Sequence, residues 1–425
     1  MTRTTTTMRA AIFRSFGGPI EIEEVDRPII DEEEEEEDAN SVILQVMATG
    51  VCRSDWHAYK GHDSDVIEHG FPFCPGHEFS GIVVEKGRHV QKLRLGDRVA
   101  VPFIVSCGSC TYCHSGSSTV CLHQKQPGFT QWGSFAEYIK LPRADRNLRV
   151  LPSNVSFVQA AALGCRFTTA FRAVMQQGKF LEEMELLQSQ QRNNTKIGNT
   201  KTKISVGIFG CGGLGLACIM MIVAAVQQQQ KQQQEIQQQR GSICPSTLVQ
   251  IIAVDVSSQA LKKSQELGAT HTVLASIDPN EQAQVRDQVK ALTDDGHGLD
   301  LSIDAAGFSA TCENAVHCTR PQGRMIQVGL PIDTHSRPPL VPMGIVAGKE
   351  LQLVGSHGFA SSDLPELLQW VSDGLVDPAQ LVERHVSLEE GAQAIQDMDH
   401  GSPLGITVVT DFQKPSTNGP VTSKL

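Results

Sequence analysis

The sequence lacks any excess of basic charge: 36 Lys and Arg stand against 47 Asp and Glu, giving a formal net charge of −11 and a pI near 5.7. Surfaces that bind nucleic acid are basic, so that class of partner is excluded. Much of the acidity sits in one run, Asp31 to Asp38, and the rest of the chain is nearer neutral. The N-terminus, MTRTTTTMRAAIF, has no apolar core of the kind that marks a secretory signal, which leads us to expect a cytoplasmic protein. No membrane span is expected either. Ile204 to Val226 is uncharged, but its glycines between Gly207 and Gly215 suit a turn, and the apolar residues after them fall short of the roughly 20 that a span needs. With no secretory signal, the 12 cysteines point to thiols and metal rather than to disulfides.

What is present is a chain of 425 residues, 40% hydrophobic and 20% charged, long enough for two domains with ample cores. Structure is expected to begin near Met8, after a disordered tail over residues 1–7, with short strands in MRAAIF, EIEEV and SVILQVMA. DEEEEEED interrupts them. Like charges at that density repel, so a solvated loop is expected there. From Phe71 to Val101, Gly and Pro punctuation between β-branched runs predicts a compact, barrel-like all-β region. Residues Gln177 to Lys203 begin helically and then turn polar, which reads as a helix tail and a linker. Beyond Ile204, strands and helices alternate, predicting a doubly wound parallel sheet. The glutamine tract over residues 227–240 is low in complexity and reads as an inserted loop, and residues 413–425 read as a disordered tail.

Five motifs carry chemistry. GVCRSDWH, Gly50 to His57, packs five functional groups together: Cys52 can bind a borderline metal as thiolate, Arg53 can hold a phosphate, and Ser54 and His57 can pass a proton. A thiol beside an imidazole is no site by itself, so partners are required. His77 and Glu78 offer them in a Gly-His-Glu turn opening a strand, and Cys165, at the centre of LGCRFTTAFRAV, offers another. Cys107, Cys110, Cys113 and Cys121, spaced C-x2-C-x2-C-x7-C, can wrap a tetrahedral ion in four thiolates and read as a structural zinc site, with His114 or His123 in place of one Cys as the alternative. Finally, Gly210, Gly212 and Gly215 form G-x-G-x-x-G between a buried-type strand and a helix, and Asp255 ends the next strand, which is the arrangement that holds a dinucleotide. Asp255 lies about forty residues beyond Gly215, farther than the usual twenty or so, and the glutamine tract accounts for the excess.

With GVCRSDWH, PGHEFSG, the four-cysteine lobe, LGCRFTTAFRAV, GCGGLG with Asp255 and a late GSHG in one order, the chain resembles the zinc-dependent alcohol dehydrogenases of the medium-chain dehydrogenase/reductase superfamily from about Met8 to Phe412. The resemblance implies a GroES-like β-barrel catalytic domain over residues 8–166 and 350–412 and a Rossmann domain binding NAD over residues 167–349. It implies two zinc ions per chain, one held by the four cysteines and one by Cys52, His77 and Cys165, with a fourth position for water or substrate and Glu78 near enough to exchange into it. Asp55 would orient His77, while Ser54 and His57 would carry away the alcohol proton. Arg53 and the turn of Gly210, Gly212, Gly213, Leu214 and Gly215 would hold the pyrophosphate, Asp255 the adenine ribose, and Thr169 with Leu214 the nicotinamide. A carboxylate at Asp255 repels a 2′-phosphate and favours NAD over NADP. Trp56, Phe103 and Trp132 would line the pocket for a small-molecule alcohol or aldehyde, in a homodimer or homotetramer. Cys74, Cys211, Cys218, Cys244, Cys312 and Cys318 are read as ordinary thiols. The alternatives are a polyol or formaldehyde-type zinc dehydrogenase and, from another class, a zinc-stabilised NAD-binding scaffold. The acidic run, the glutamine tract and the polar linker depart from the family pattern at places where loops tolerate length.

Overall fold

The computed structural model describes residues 6–31, 36–193, 202–240, 249–331, 338–401 and 403–413. The chain folds into two compact units, one of Met1–Cys113, Leu122–Gly164 and Val382–Leu425, the other of His114–Cys121 and Cys165–Leu381.

The first unit is built on β1 (Thr7–Phe13), β2 (Ile20–Asp26), β3 (Val42–Gly50), β4 (Glu78–Lys86), β5 (Arg98–Ala100), β6 (Tyr138–Leu141) and β7 (Arg149–Val150). β1 and β2 form an antiparallel ribbon in which every residue of β1 after Thr7 is buried. β3 pairs antiparallel with β4 and β6, and β4 continues through β5 to β7. One core joins the ribbon to this sheet through Phe13, Leu44, Phe73, Phe79 and Phe135.

In the second unit, β8 (Ile204–Phe209), β9 (Val249–Asp255), β10 (His271–Leu274), β11 (Leu299–Asp304), β12 (Thr319–Gln327) and β13 (Gln352–Gly355) form one parallel sheet. Its order is β10-β9-β8-β11-β12-β13. Every residue of β8 and β11 is buried, as expected of central parallel strands covered on both faces; β11 alternates Leu299, Leu301 and Ile303 with Asp300, Ser302 and Asp304. The order reverses between β8 and β11, so their carboxyl ends flank the switch point at which doubly wound sheets bind ligands. The chain then returns to the first unit through β14 (Val382–Ser387) and β15 (Ile406–Asp411), of which β15 pairs with β3.

Three expectations are corrected. The return, expected at residue 350, falls after Leu381: β13 pairs with β12, and the helix Leu364–Ser372 buries Trp370 edge-on to Phe171 at 5.5 Å. The glutamine tract is helical, because Gly213–Arg240 is a single helix. Glutamine is a good helix former, and a segment extending a formed helix escapes the nucleation cost. Leu216, Ile219, Met221 and Ile222 of this helix are buried, so its apolar half is a core element, although it is long and apolar enough to cross a membrane. Third, the end of the acidic run is folded. Glu36–Asn40 forms a short 3-10 helix, Asp38 is buried and pairs with Lys140 at 2.9 Å, and Glu37 pairs with Lys125 at 2.7 Å. Residues 32–35, the linker 194–201, Cys244, and nearly all of the two expected tails lie outside the described residues.

Candidate functional site

Cys52 stands at the N-cap of the helix Arg53–Tyr59, where its backbone N–H donates to Asp55 Oδ2 at 2.9 Å. Asp55 is fully buried, and its other oxygen accepts from Gly76 N at 3.2 Å and faces His77 Nδ1 at 2.7 Å. A buried carboxylate needs such donors. Held this way, His77 keeps its proton on Nδ1 and presents the lone pair of Nε2, a buried atom with no hydrogen-bond partner among the described residues. Phe129 packs on the ring at 5.1 Å and Phe103 at 6.1 Å. Gly76 permits this turn, having φ +110 and a position at which a Cβ would lie 2.6 Å from the Phe135 ring.

Glu78 opens β4 opposite Gly50. A Cβ on Gly50 would come within 2.6 Å of the Glu78 carboxylate and one on Gly164 within 2.5 Å of Glu78 Cβ, so two glycines make room for this side chain. Gly164 also breaks the helical geometry just before Cys165. The result is that the ligand atoms of Cys52, His77, Glu78 and Cys165 all lie within 4.8 Å of one another. Burial disfavours the charged His77 ring, but Asp55 and Cys52 outweigh that penalty and hold its pKa well above the ordinary imidazole value. This pocket therefore favours positive charge, and a divalent cation on Nε2 suits it. Two thiolates, a neutral imidazole and a carboxylate are a donor set for zinc.

The second cluster is made of Cys107, Cys110, Cys113 and Cys121, whose sulfurs also lie within 4.8 Å of one another. Ser109 N and Cys110 N donate to Cys107 Sγ at 3.4 and 3.3 Å. The backbone N–H groups of Cys113 and Leu122 bring the Cys110 thiol below its ordinary pKa, the direction a thiolate ligand needs. Burial does the opposite elsewhere: it pushes Cys74, Cys211, Cys218 and Cys318 up to about 12 and Cys312 to about 11.

The glycine-rich turn follows β8 within the second unit. Gly210 has φ +90, and a Cβ on Gly215 would sit 1.9 Å from the Gly210 carbonyl oxygen, so the helix can begin this close to the turn only with glycine there. A Cβ on Gly212 would meet nothing within 4 Å, the open side on which a phosphate can approach the backbone. Gly213 and Leu214 lie in the helix's first turn, where Gly213 is covered by the Arg166 side chain. Asp255, at the end of β9, accepts from Cys211 N at 2.6 Å and Ser257 N at 2.7 Å, which fixes its carboxylate beside the turn. Thr169 is buried, with an Oγ1 that has no partner among the described residues.

Other expected site residues are placed differently. Arg53 donates from Nη1 to the Met398 carbonyl at 2.7 Å and stacks on Trp56 at 3.5 Å, so here its guanidinium is engaged inside its own unit rather than extended toward a phosphate. Trp56 donates to Asp399 at 2.6 Å and Trp132 to the Pro72 carbonyl at 2.9 Å. Ser54 is half-buried in the first turn of the Arg53–Tyr59 helix, and His57 lies near its end. Sequence reasoning missed Phe129, Arg166 and the pair Met398–Asp399. Arg166 alone had a local signal, as the neighbour of Cys165.

Two family models match the chain, one described as Alcohol dehydrogenase GroES-like domain over residues 38–152 and one as Zinc-binding dehydrogenase over residues 243–373. An alcohol dehydrogenase of Geobacillus stearothermophilus is 29% identical over 403 residues, covering 95% of this chain and 98% of that relative. An NAD-dependent alcohol dehydrogenase of Sulfolobus acidocaldarius is 28% identical over 410 residues, covering 95% and 99%. The crystal structure of the alcohol dehydrogenase of the archaeon Aeropyrum pernix superposes with a TM-score of 0.71 at 26% identity, covering 95% of this chain and 99% of that one.

Proposed function

The chain belongs to the zinc-binding medium-chain dehydrogenase/reductase family, and from that premise we propose that it interconverts a primary or secondary alcohol and NAD+ with the aldehyde or ketone, NADH and a proton. The observation that carries this reading is His77, pinned through Nδ1 to Asp55 with Nε2 turned toward Cys52, Glu78 and Cys165.

Cys52, His77 and Cys165 hold the catalytic zinc, and Cys107, Cys110, Cys113 and Cys121 hold a second, structural one. Bound in the first set, zinc supplies Lewis acidity that makes an alcohol hydroxyl a stronger acid at neutral pH. Asp55 keeps the His77 tautomer and ring orientation fixed. Glu78, whose carboxylate lies within 4.8 Å of the other ligand atoms, would be the residue to take the fourth position when solvent leaves it. Ser54, in the first turn of the Arg53–Tyr59 helix, would accept the alcohol proton, and His57, in its last turn, would release it to water. Phe103 and Phe129, packed on His77, keep the reacting side of the ring dry.

The turn from Gly210 to Gly215 takes the pyrophosphate on its backbone N–H groups, with Arg166 beside it, and Thr169 and Leu214 pack the nicotinamide. Arg53, held on the Met398 carbonyl at 2.7 Å, carries a guanidinium of the kind that could bind a phosphate oxygen. Asp255 binds the adenine ribose and disfavours a 2′-phosphate. A homodimer or homotetramer in the cytoplasm is our expectation. The edge strand β13, with Leu353 exposed and Leu340 and Met343 exposed nearby in sequence, supports assembly.

The test is NAD reduction by the zinc-loaded protein across a panel of primary alcohols, secondary alcohols, polyols and hydrated formaldehyde, with and without a strong chelator. Chelator-sensitive turnover with NAD preferred over NADP is expected. No turnover with any alcohol would overturn the reading, and a preference for NADP would overturn the role of Asp255.

A further inference from the structure

We propose that His57 and His62 form an accessory binding site for a divalent transition-metal cation, separate from both cysteine-bearing clusters. The two Nδ1 atoms lie 3.1 Å apart. Two nitrogens bound to one metal at about 2.0–2.1 Å in adjacent positions stand roughly 2.9–3.4 Å from each other, so the pair already has the spacing a single ion requires. In the metal-free protein one imidazole donates its Nδ1–H to the other at this distance; to take a cation that ring gives up the Nδ1 proton to solvent and carries one on Nε2 instead, so that both neutral rings offer an Nδ1 lone pair.

The backbone builds this spacing. His57 lies in the last turn of the Arg53–Tyr59 helix, and the chain reverses through Gly61, whose φ of +75 suits glycine and whose missing side chain leaves space for the Phe16 ring. Gly61 N donates to the Ala58 carbonyl at 3.0 Å and His62 N to the His57 carbonyl at 2.9 Å, locking the two histidines in register. Trp56 meets both imidazoles edge-on, with ring centroids at 5.0 Å from His57 and 5.4 Å from His62, and so restricts both side chains. His62 is exposed and His57 half-buried, which leaves the nitrogen pair open to ions from solution. The nearby cation Lys60 is paired with Asp399 at 2.9 Å, which offsets its repulsion of a metal.

Imidazole pairs take borderline metals, with affinity rising from cobalt through nickel to copper. An ion on His57 removes the imidazole that hands the alcohol proton to water, so occupancy slows turnover. That consequence rests on the function proposed above, whereas the binding does not.

The experiment titrates Ni2+ into the zinc-loaded protein, following heat by calorimetry and tryptophan emission, of which the Trp56 share lies close enough to be quenched by a paramagnetic ion. Wild type and His62→Ala are compared, and alcohol oxidation is measured at each point. One Ni2+ per chain with partial, saturable quenching is expected in wild type, and binding about tenfold or more weaker in His62→Ala. Equal Ni2+ affinity in the two proteins would overturn the site. Binding that depends on His62 while turnover persists at saturation would uphold the site and overturn the proton role of His57.

Discussion

Cys107, Cys110, Cys113 and Cys121 come from one stretch of fifteen residues, whereas Cys52, His77, Glu78 and Cys165 are drawn from three separate stretches. The first set is homogeneous, four thiols with main-chain N–H groups donating to Cys107 Sγ. The second is mixed in chemistry and backed by Asp55, itself held by Cys52 N and Gly76 N. Four thiolates close a tetrahedron and leave nothing to exchange, while a set with three strong ligands and a carboxylate can open one position. On the proposed reading the local cluster would stabilise its lobe, whereas the dispersed cluster needs segments far apart in sequence to fold before it could do chemistry.

This contrast can be broken by experiment. Cys52→Ser is expected to lower kcat/KM by about three orders of magnitude, several kcal/mol of lost transition-state stabilisation, and to bring zinc from about two to about one per chain. Retained activity would remove Cys52 from the chemistry. Cys110→Ser should also cost one zinc, but its main effect is on stability, with an early loss of the thermal transition on the scale of several kcal/mol. If calorimetry shows an unchanged melt, the four-cysteine cluster has no structural role. Asp55→Asn keeps the shape but removes the charge behind His77, and zinc affinity at that cluster should fall about 10- to 100-fold while the four-cysteine zinc stays. Metal competition with a chromogenic chelator reads both sites. Gly50→Ala should have the smallest effect, less than about tenfold on turnover, because the severe clash, at 2.6 Å, is with the movable carboxylate of Glu78, while Glu78 Cβ at 3.2 Å must give by only a few tenths of an ångström. A loss as large as that of Asp55→Asn would show Glu78 to be fixed rather than exchangeable.

Much of this was legible in the chain. The alternation after Ile204 predicts the parallel sheet, and Gly-His-Glu opening a strand places His77 and Glu78 where they stand. What escaped was either long-range or a conflict between composition and context. Asp38 looks solvated within an acidic run, yet its partner Lys140 lies a hundred residues away. Arg53 looks poised for phosphate, yet it rests on the Met398 carbonyl at the far end of the chain. The glutamine tract has no apolar pattern to signal a helix, and only the buried helix before it explains its conformation. The helix Ser309–Cys318 went unread because its apolar positions are small and irregular.

The single helix Gly213–Arg240 has one more consequence, for tolerance of length rather than for chemistry. Each residue added to or removed from its glutamine half shifts the outer end of the helix by about 1.5 Å and leaves every distance between the glycine-rich turn and the buried residues from Leu216 to Ala225 as it was. The tract is a spacer whose length the turn does not sense.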